Sequence, residues 1–139
     1  MALIGRIHRL GDRLRDELLI VYRRFGLNEG EFDLLATLRR AGAPFEAAPG
    51  ELARHTMVTT GAVSKRLDRL EAAGLVHRRE SDADGRGRVV ALTEAGRRTI
   101  DEAFAAHMSN EARLVESLTP GQRAQLEPLL RAWLSPLEG

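Results

Sequence analysis

Apolar residues recur along most of this chain at intervals of three and four, the spacing of helices that bury one face. Ile7, Leu10, Leu14, Leu18, Val21 and Phe25 form the first stripe and predict a long helix over residues 3–25, weakened locally by Gly5 and Gly11 and ended by Gly26. Arg6, Arg9, Arg13, Arg15, Arg23 and Arg24 take much of the remaining surface. A second helix is marked by Asn28 with Glu31 three residues later, the spacing of a capping box, and by Leu27 and Phe32 at the two staple positions around that cap. Leu34, Leu35 and Leu38 supply its buried face, and Gly42 and Pro44 stop it. Phe45 to Ala48 is a short link able to pair as a minor strand. Pro49 suits the first position of a short helix that carries Leu52 and Ala53 to about His55, since its missing amide costs nothing there.

The stretch that follows is the one the others surround. Thr56, Met57 and Val58 make a tight connection into a helix running from Thr59 to Gly74. Thr59 is its N-cap, and Gly74 stops it by taking the left-handed conformation. Val63, Leu67 and Leu70 lie on one stripe, while Gly61, Lys65 and Ala72 point the opposite way, flanked by Asp68 and Arg69. The outward face is therefore small at its start and basic in its middle. Small residues allow close approach to a surface, and Lys and Arg can meet phosphates or guanine edges. Two helices joined by three or four residues, the second with a basic outer face, form a helix-turn-helix pattern suited to the major groove. The plain alternative is a solvated amphipathic helix.

After Gly74 the period changes. Leu75 to Arg79 and Arg88 to Leu92 read as two strands, joined by the turn-rich segment Ser81-Asp82-Ala83-Asp84-Gly85-Arg86-Gly87. Such a hairpin is physically a wing, with Arg86 at its tip and Arg88 on its returning arm, both able to enter a narrow minor groove. Thr93 caps a further helix, with Glu94 near its N-terminal dipole, predicted to run to about Leu118. Thr119-Pro120-Gly121-Gln122 opens the last helix with a cap, a proline at its first position and a box glutamine; Pro128 is expected to kink or restart it. Leu126, Leu129, Leu130, Trp133, Leu134 and Leu137 give that helix more apolar surface than one face needs.

Composition narrows the picture. The 139 residues suit one domain with a respectable core, and the absence of cysteine removes disulfides and thiolate metal sites. No apolar run is long enough to span a bilayer and the N-terminus lacks the apolar core of a signal peptide, so a soluble cytoplasmic protein is expected. The net charge is only +1, and the basic excess over residues 51–92 is eight against six, so charge alone does not mark a nucleic-acid partner. An enzyme is disfavoured, since no Ser/His/Asp set, phosphate loop or cysteine nucleophile is in view, and no cofactor is implied.

The segment from Asn28 to about Gly96 resembles the MarR family of winged helix-turn-helix transcription regulators. The resemblance rests on Val58 to Ser64, on Arg69-Leu70-Glu71-Ala72-Ala73-Gly74-Leu75-Val76, on Asp84-Gly85-Arg86 and on Leu92-Thr93-Glu94-Ala95-Gly96; Thr119-Pro120 and the leucines after it look like the start of the family's last helix. The match covers nearly the whole chain, with a glycine-flanked wing arginine and a short N-terminal segment as departures. It implies a mainly α fold with a small β-hairpin wing: one MarR-like domain over 1–139, with a winged-helix core at 26–96 and dimerisation helices at 1–25 and 97–139. It also implies a homodimer that binds a pseudo-palindromic operator in double-stranded DNA and responds to a ligand, as a repressor. Apolar stripes at both chain ends agree with a partner subunit. A winged-helix interaction scaffold without sequence-specific DNA binding is the alternative.

By the same resemblance the base-reading face falls on Thr59, Thr60, Gly61, Ala62, Ser64 and Lys65. Arg66 and Arg69 fall to phosphates, Arg86 to the minor groove, Arg88 to the wing or an exposed strand face, and Asp84 to wing support by pairing with an arginine. Family members often bind a small aromatic anion in the crevice between dimer helices and core; His8, Arg15, Tyr22 and Phe32 are candidate wall residues, with packing or solvation as the plain reading of each. His107 and Glu111 stand four apart in the stripe of Ile100, Phe104, Leu114 and Leu118, a spacing able to hold a divalent cation. The favoured reading of that pair is an internal hydrogen bond, since no second ligand cluster is visible.

Overall fold

A computed structural model describes residues 2–56, 59–81 and 87–139, with the backbone alone at Thr60. Its elements run α1 (Ala2–Arg24), α2 (Glu29–Arg40), β1 (Glu46–Ala47), α3 (Pro49–Thr56), α4 (Thr60–Ala72), β2 (Val76–Glu80), β3 (Arg88–Leu92), α5 (Glu94–Leu114) and α6 (Pro120–Glu138). The caps lie where local chemistry places them. Asn28 accepts from the Glu31 amide at 2.8 Å and Glu31 returns the bond to the Asn28 amide at 2.9 Å, so two orphan donors of α2 are satisfied at once. Thr59, Thr93 and Thr119 each accept from an amide three residues on, and Gln122 completes a second box with Thr119.

The core gathers Leu34, Leu35 and Leu38 of α2, Leu52 of α3, Val63, Leu67 and Leu70 of α4, Val76 and Val90 of the sheet and Ile100 of α5. Tyr22, Leu27 and Phe32 extend it to the end of α1. The sheet is antiparallel with order β1-β3-β2, and β2 pairs in register from Val76↔Leu92 to Glu80↔Arg88. The edge strand β2 carries Arg78, Arg79 and Glu80 outward from its apolar root, which blunts it against further pairing. Arg79 reaches past β3 to the carboxylate of Glu46 on β1, at 2.9 and 3.0 Å, and ties the short strand in place.

The tightest junction joins the end of α4 to the start of α5. Gly74 turns the chain at φ +76, the Thr93 hydroxyl donates to the Gly74 carbonyl at 2.6 Å, and the Thr93 amide donates to the Leu75 carbonyl at 3.1 Å. Gly96, one turn into α5, lies so close that a Cβ there would stand 1.9 Å from the Leu75 carbonyl oxygen. Further along, Asn110 is buried and donates to the Glu17 carbonyl at 3.1 Å, while Arg113 reaches the Glu17 carboxylate at 2.7 Å, which docks α5 on α1.

Four expectations change. Helix α5 ends at Leu114, four residues short of Leu118, because Val115 to Glu116 already turn the chain toward the Thr119 cap. Helix α6 runs unbroken through Pro128, and through Pro136, so neither proline restarts it. The α1 stripe is buried only at its end: Val21 is 1% exposed but Leu10 is 51%, since its N-terminal half meets no core. Glu111 lies outside the buried stripe of α5, whose inner positions are Ile100, Ala103 and Asn110.

Gly96→Ala is expected to cost on the order of 3 kcal/mol, because the obstacle is backbone and cannot rotate away. A melting temperature lowered by roughly 10 °C, read by circular dichroism, checks it, against a rise of a few degrees at most (~1 kcal/mol) for Gly11→Ala, where open space surrounds the added methyl in a helix interior.

Candidate nucleic-acid interface

Helix α4 exposes the face its periodicity assigns. Val63, Leu67 and Leu70 are buried, whereas Thr59, Gly61, Ser64, Lys65, Asp68 and Ala72 are exposed and Ala62 is half-buried. The Thr59 hydroxyl accepts from the Ala62 amide at 3.2 Å, which closes the helix start and leaves small residues on its leading turn. Beside this face runs a groove of ≈ 470 Å³ lined by Pro49, Ser64, Leu67, Glu71, Arg78 and Arg88. The ladder explains its composition. Val76, Arg78 and Glu80 share one face of β2 with their partners Leu92, Val90 and Arg88 on β3, so that face grades from apolar at the root to arginine at the open end. Ser64 of the helix and Arg88 of the returning arm thus border one groove. Arg86, the minor-groove candidate, and Asp84, its expected support, lie outside the described residues, as does the side chain of Thr60.

Arg66 and Arg69, assigned to phosphates by resemblance, lean toward the inner flank. Arg66 packs against Gly30 so closely that a Cβ on the glycine would meet its Nε at 2.4 Å. Arg69 Nε stands 3.7 Å from Glu31 Oε2, the carboxylate that also caps α2. On the opposite flank lies a contact that periodicity does not reveal. Arg78 donates from its backbone amide and from its guanidinium to Glu71, at 2.9, 3.2 and 2.9 Å, and from Nη2 to Asp68 at 2.7 Å. These bonds hold the Glu71 carboxyl below its usual range, the Arg78 amide contributing most and its guanidinium next. A Glu five residues before a strand, with an Arg on that strand, is the sequence signal for this pair, legible only once the Gly74 turn is known to fold β2 back along α4.

The four candidate crevice residues occupy three places. Arg15 pairs with Glu29 at 3.0 Å and lines a crevice of ≈ 510 Å³ together with Arg23, Asn28, Asp33 and Arg66. Asp33 is held above the usual carboxylate range there, first by desolvation and then by Glu29, although the residue as a whole is exposed. Tyr22 and Phe32 are core residues, stacked with ring centroids 4.3 Å apart. His8 lies on an apolar recess of ≈ 290 Å³ formed with Ile4, Ile7, Leu130, Trp133, Leu134 and Leu137. His107 caps the aromatic stack: Nδ1 is 3.3 Å from the Tyr22 hydroxyl and Nε2 is 2.9 Å from Glu111 Oε1. With Nε2–H donating to Glu111, Nδ1 is left to accept from the phenol, which is the internal hydrogen-bonded arrangement weighed from the sequence. Among the described residues no group of three or more His, Cys, Asp or Glu side chains is placed to hold a metal ion.

A short helix, then a capped helix with its small and basic face outward, then an antiparallel arm packed beside it, define a winged helix-turn-helix protein. The chain belongs to the MarR family, whose model matches residues 25–87. It is 32% identical over 130 residues to the HTH-type transcriptional regulator PecS of Dickeya dadantii, covering 94% of this chain and 78% of that one. It is 34% identical over 124 residues to the HTH-type transcriptional repressor Rv2887 of Mycobacterium tuberculosis, covering 89% and 87%. Among solved structures, a Cys-to-Ser variant of MarR from Escherichia coli complexed with operator DNA superposes with a TM-score of 0.80 at 27% identity, over 96% of this chain and 94% of that one. No helix among the described residues is long and apolar enough to cross a membrane.

Burial pushes the Tyr22 phenol up to about 12, with Asp33, Glu29 and Glu111 adding to the shift. An unfolded tyrosine releases its proton near pH 10.0, so the folded state holds that proton longer and Tyr22 contributes stability that is full below pH 10 and lost as pH rises to about 12. Tyr22 is the chain's one tyrosine, so tyrosinate absorbance reports it alone. The expected titration lies near pH 12 in the native protein and near pH 10 in denaturant, and Tyr22→Phe flattens the alkaline fall in stability.

Proposed function

We propose that this chain is a sequence-specific transcription regulator that binds a pseudo-palindromic operator as a homodimer, reading bases with α4 and acting as a ligand-released repressor. The observation that carries this reading is the α4 face: Gly61, Ser64 and Lys65 are exposed on a capped helix, with Arg88 bordering the same groove. Small residues bring the helix backbone near the base edges, and Lys65 and Arg88 supply cations for phosphates or guanine. An interaction scaffold has no use for a small-faced helix start next to an arginine arm. Relatives named as a transcriptional repressor and as a regulator bound to operator DNA support the same reading.

The dimer is argued from the chain ends. Helix α6 has no buried residue, and Leu129, Leu134 and Leu137 are 67%, 50% and 74% exposed. Together with Leu3, Ile4 and Leu10 of α1 they form more apolar surface than a lone chain in water keeps bare. A second copy related by a two-fold axis covers it and fixes the spacing of the two α4 helices for half-sites about one turn apart. The effector belongs to the Arg15, Arg23 and Arg66 crevice, where arginines suit an anion and where Arg66 links the ligand to α4. A ligand favouring one α4 spacing shifts the population toward it and releases or secures the operator.

Two measurements test this. Selection from random duplexes is expected to enrich a pseudo-palindrome, and Lys65→Ala is expected to weaken binding and lower the log–log salt slope by about one if Lys65 meets a phosphate. A pool with no enriched sequence defeats the regulator reading. In sedimentation, Leu134→Asp is expected to convert a two-chain mass to one and to shift the emission of Trp133, the one tryptophan, to the red. A wild-type mass of one chain at micromolar concentration defeats the dimer.

A further inference from the structure

The outward face of α4 contains an anomaly. Asp68 is 65% exposed between Lys65 and Ala72, and Glu71 borders the groove with Ser64 and Arg88. Two carboxylates beside a surface meant for phosphates repel the ligand unless their charge is spent elsewhere. Arg78 meets one of the two charges: both carboxylates engage it at hydrogen-bond distance, its side chain is 21% exposed, and the cluster is left at net −1 instead of −2. The planar fork of an arginine is the group able to serve two carboxylates at fixed angles, and the Arg78 amide adds a bond from the strand itself to Glu71. The cluster therefore spans two rigid elements: Asp68 and Glu71 are one helical turn apart on α4, and Arg78 sits at the middle of β2.

We propose that Arg78 is a positioning residue for DNA recognition, setting the angle between α4 and the β2–β3 arm through Asp68 and Glu71 rather than by touching DNA. The inference rests on the DNA-regulator reading above. Its geometric basis is the bond pattern. Apolar contact of Val76 and Val90 with the α4 core fixes the root of the arm, but such contacts are non-directional. The Arg78 clamp lies further out and has donors and acceptors in set directions, so it fixes how the arm's open end, with Arg88, stands relative to Ser64 and Lys65. With its charge already met by two carboxylates, Arg78 has no net charge to offer a phosphate. Lysine retains the charge but not the fork, so it separates positioning from plain electrostatics.

The experiment compares wild type with Arg78→Lys by fluorescence anisotropy on the operator that wild type selects and on a scrambled duplex of equal length, across a salt series, with thermal melts of each protein. Positioning predicts at least about a tenfold loss on the operator, the size of one misread base pair, with scrambled-duplex affinity and salt slope unchanged. An operator-to-scrambled ratio that stays within about twofold of wild type overturns the proposal. Equal losses on both duplexes alongside a lower melting temperature overturn it too, because that pattern marks a fold staple. Should Arg78→Lys not fold, Glu71→Gln, which keeps the shape and removes the charge, is judged by the same criteria. If wild type selects no sequence, the regulator reading falls and this inference with it; if wild type selects one and the variant reads it equally well, the positioning role alone falls.

Discussion

The backbone contact between the turn at Gly74–Leu75 and the first helical turn at Thr93–Gly96 is the constraint on which the molecule depends. It places the C-terminal end of α4 directly on the N-terminal end of α5, with only the Thr93 hydroxyl bridging them. The Thr93 hydroxyl serves both sides, accepting from Gly96 to cap α5 while donating to Gly74. A helix that reads DNA is useful only at a defined attitude to the rest of its protein, and a helix that joins subunits is useful only if it transmits that attitude. Hydrophobic packing alone tolerates small rotations. A hydrogen-bonded junction with backbone in close contact is more directional, and it fixes the end of α4 against the start of the long α5.

From that fixed end, α4 is flanked on both sides by contacts of its charged side chains. On the inner side Arg66 rests on Gly30 and Arg69 approaches Glu31, so the N-terminal turn of α2 holds two of the helix's arginines. On the outer side Arg78 of β2 holds two of its acids. The signs are opposite on the two flanks, and the consequence is a division of labour along one short helix. The acids Asp68 and Glu71 are bonded within the fold, and Lys65, with the small residues before it, is left to face the solvent. The exposed pairs add little to stability, as pairs open to water do. Their value is directional.

Local chemistry made much of this legible in advance. The capping box at Asn28 and Glu31, the threonine caps, Pro49 and Gly74 all act within a few residues, so the sequence states them outright and the structure places them as read. The α4 face was equally legible, because helical periodicity assigns its inner and outer positions. What sequence did not disclose depended on contacts distant along the chain. The Arg78 clamp requires knowing that β2 folds back beside α4, and the scatter of His8, Arg15, Tyr22 and Phe32 over three sites requires knowing how α1 crosses α2 and α5. The end of α5 was overextended because Leu118 continues the apolar spacing after the backbone has already turned toward Thr119. Of the two outcomes expected at Pro128, a restart does not occur: the leucine-rich helix continues past the lost amide bond.

The least satisfied parts of the chain are its ends, and their exposure follows from how the middle is built. The winged core closes its hydrophobic cluster with α2, α3, α4, the sheet and α5, taking Tyr22 from the end of α1 and leaving Leu18, Leu19 and Phe25 packed at its margin. The first half of α1 and the whole of α6 therefore have apolar faces but no core to enter. In the dimer proposed above, a two-fold partner covers these faces without disturbing the core, each chain supplying the missing face to the other. The same arrangement leaves the core free to present α4 outward, so the apolar excess at the termini and the polar restraint of the recognition face are two results of one partition of the sequence.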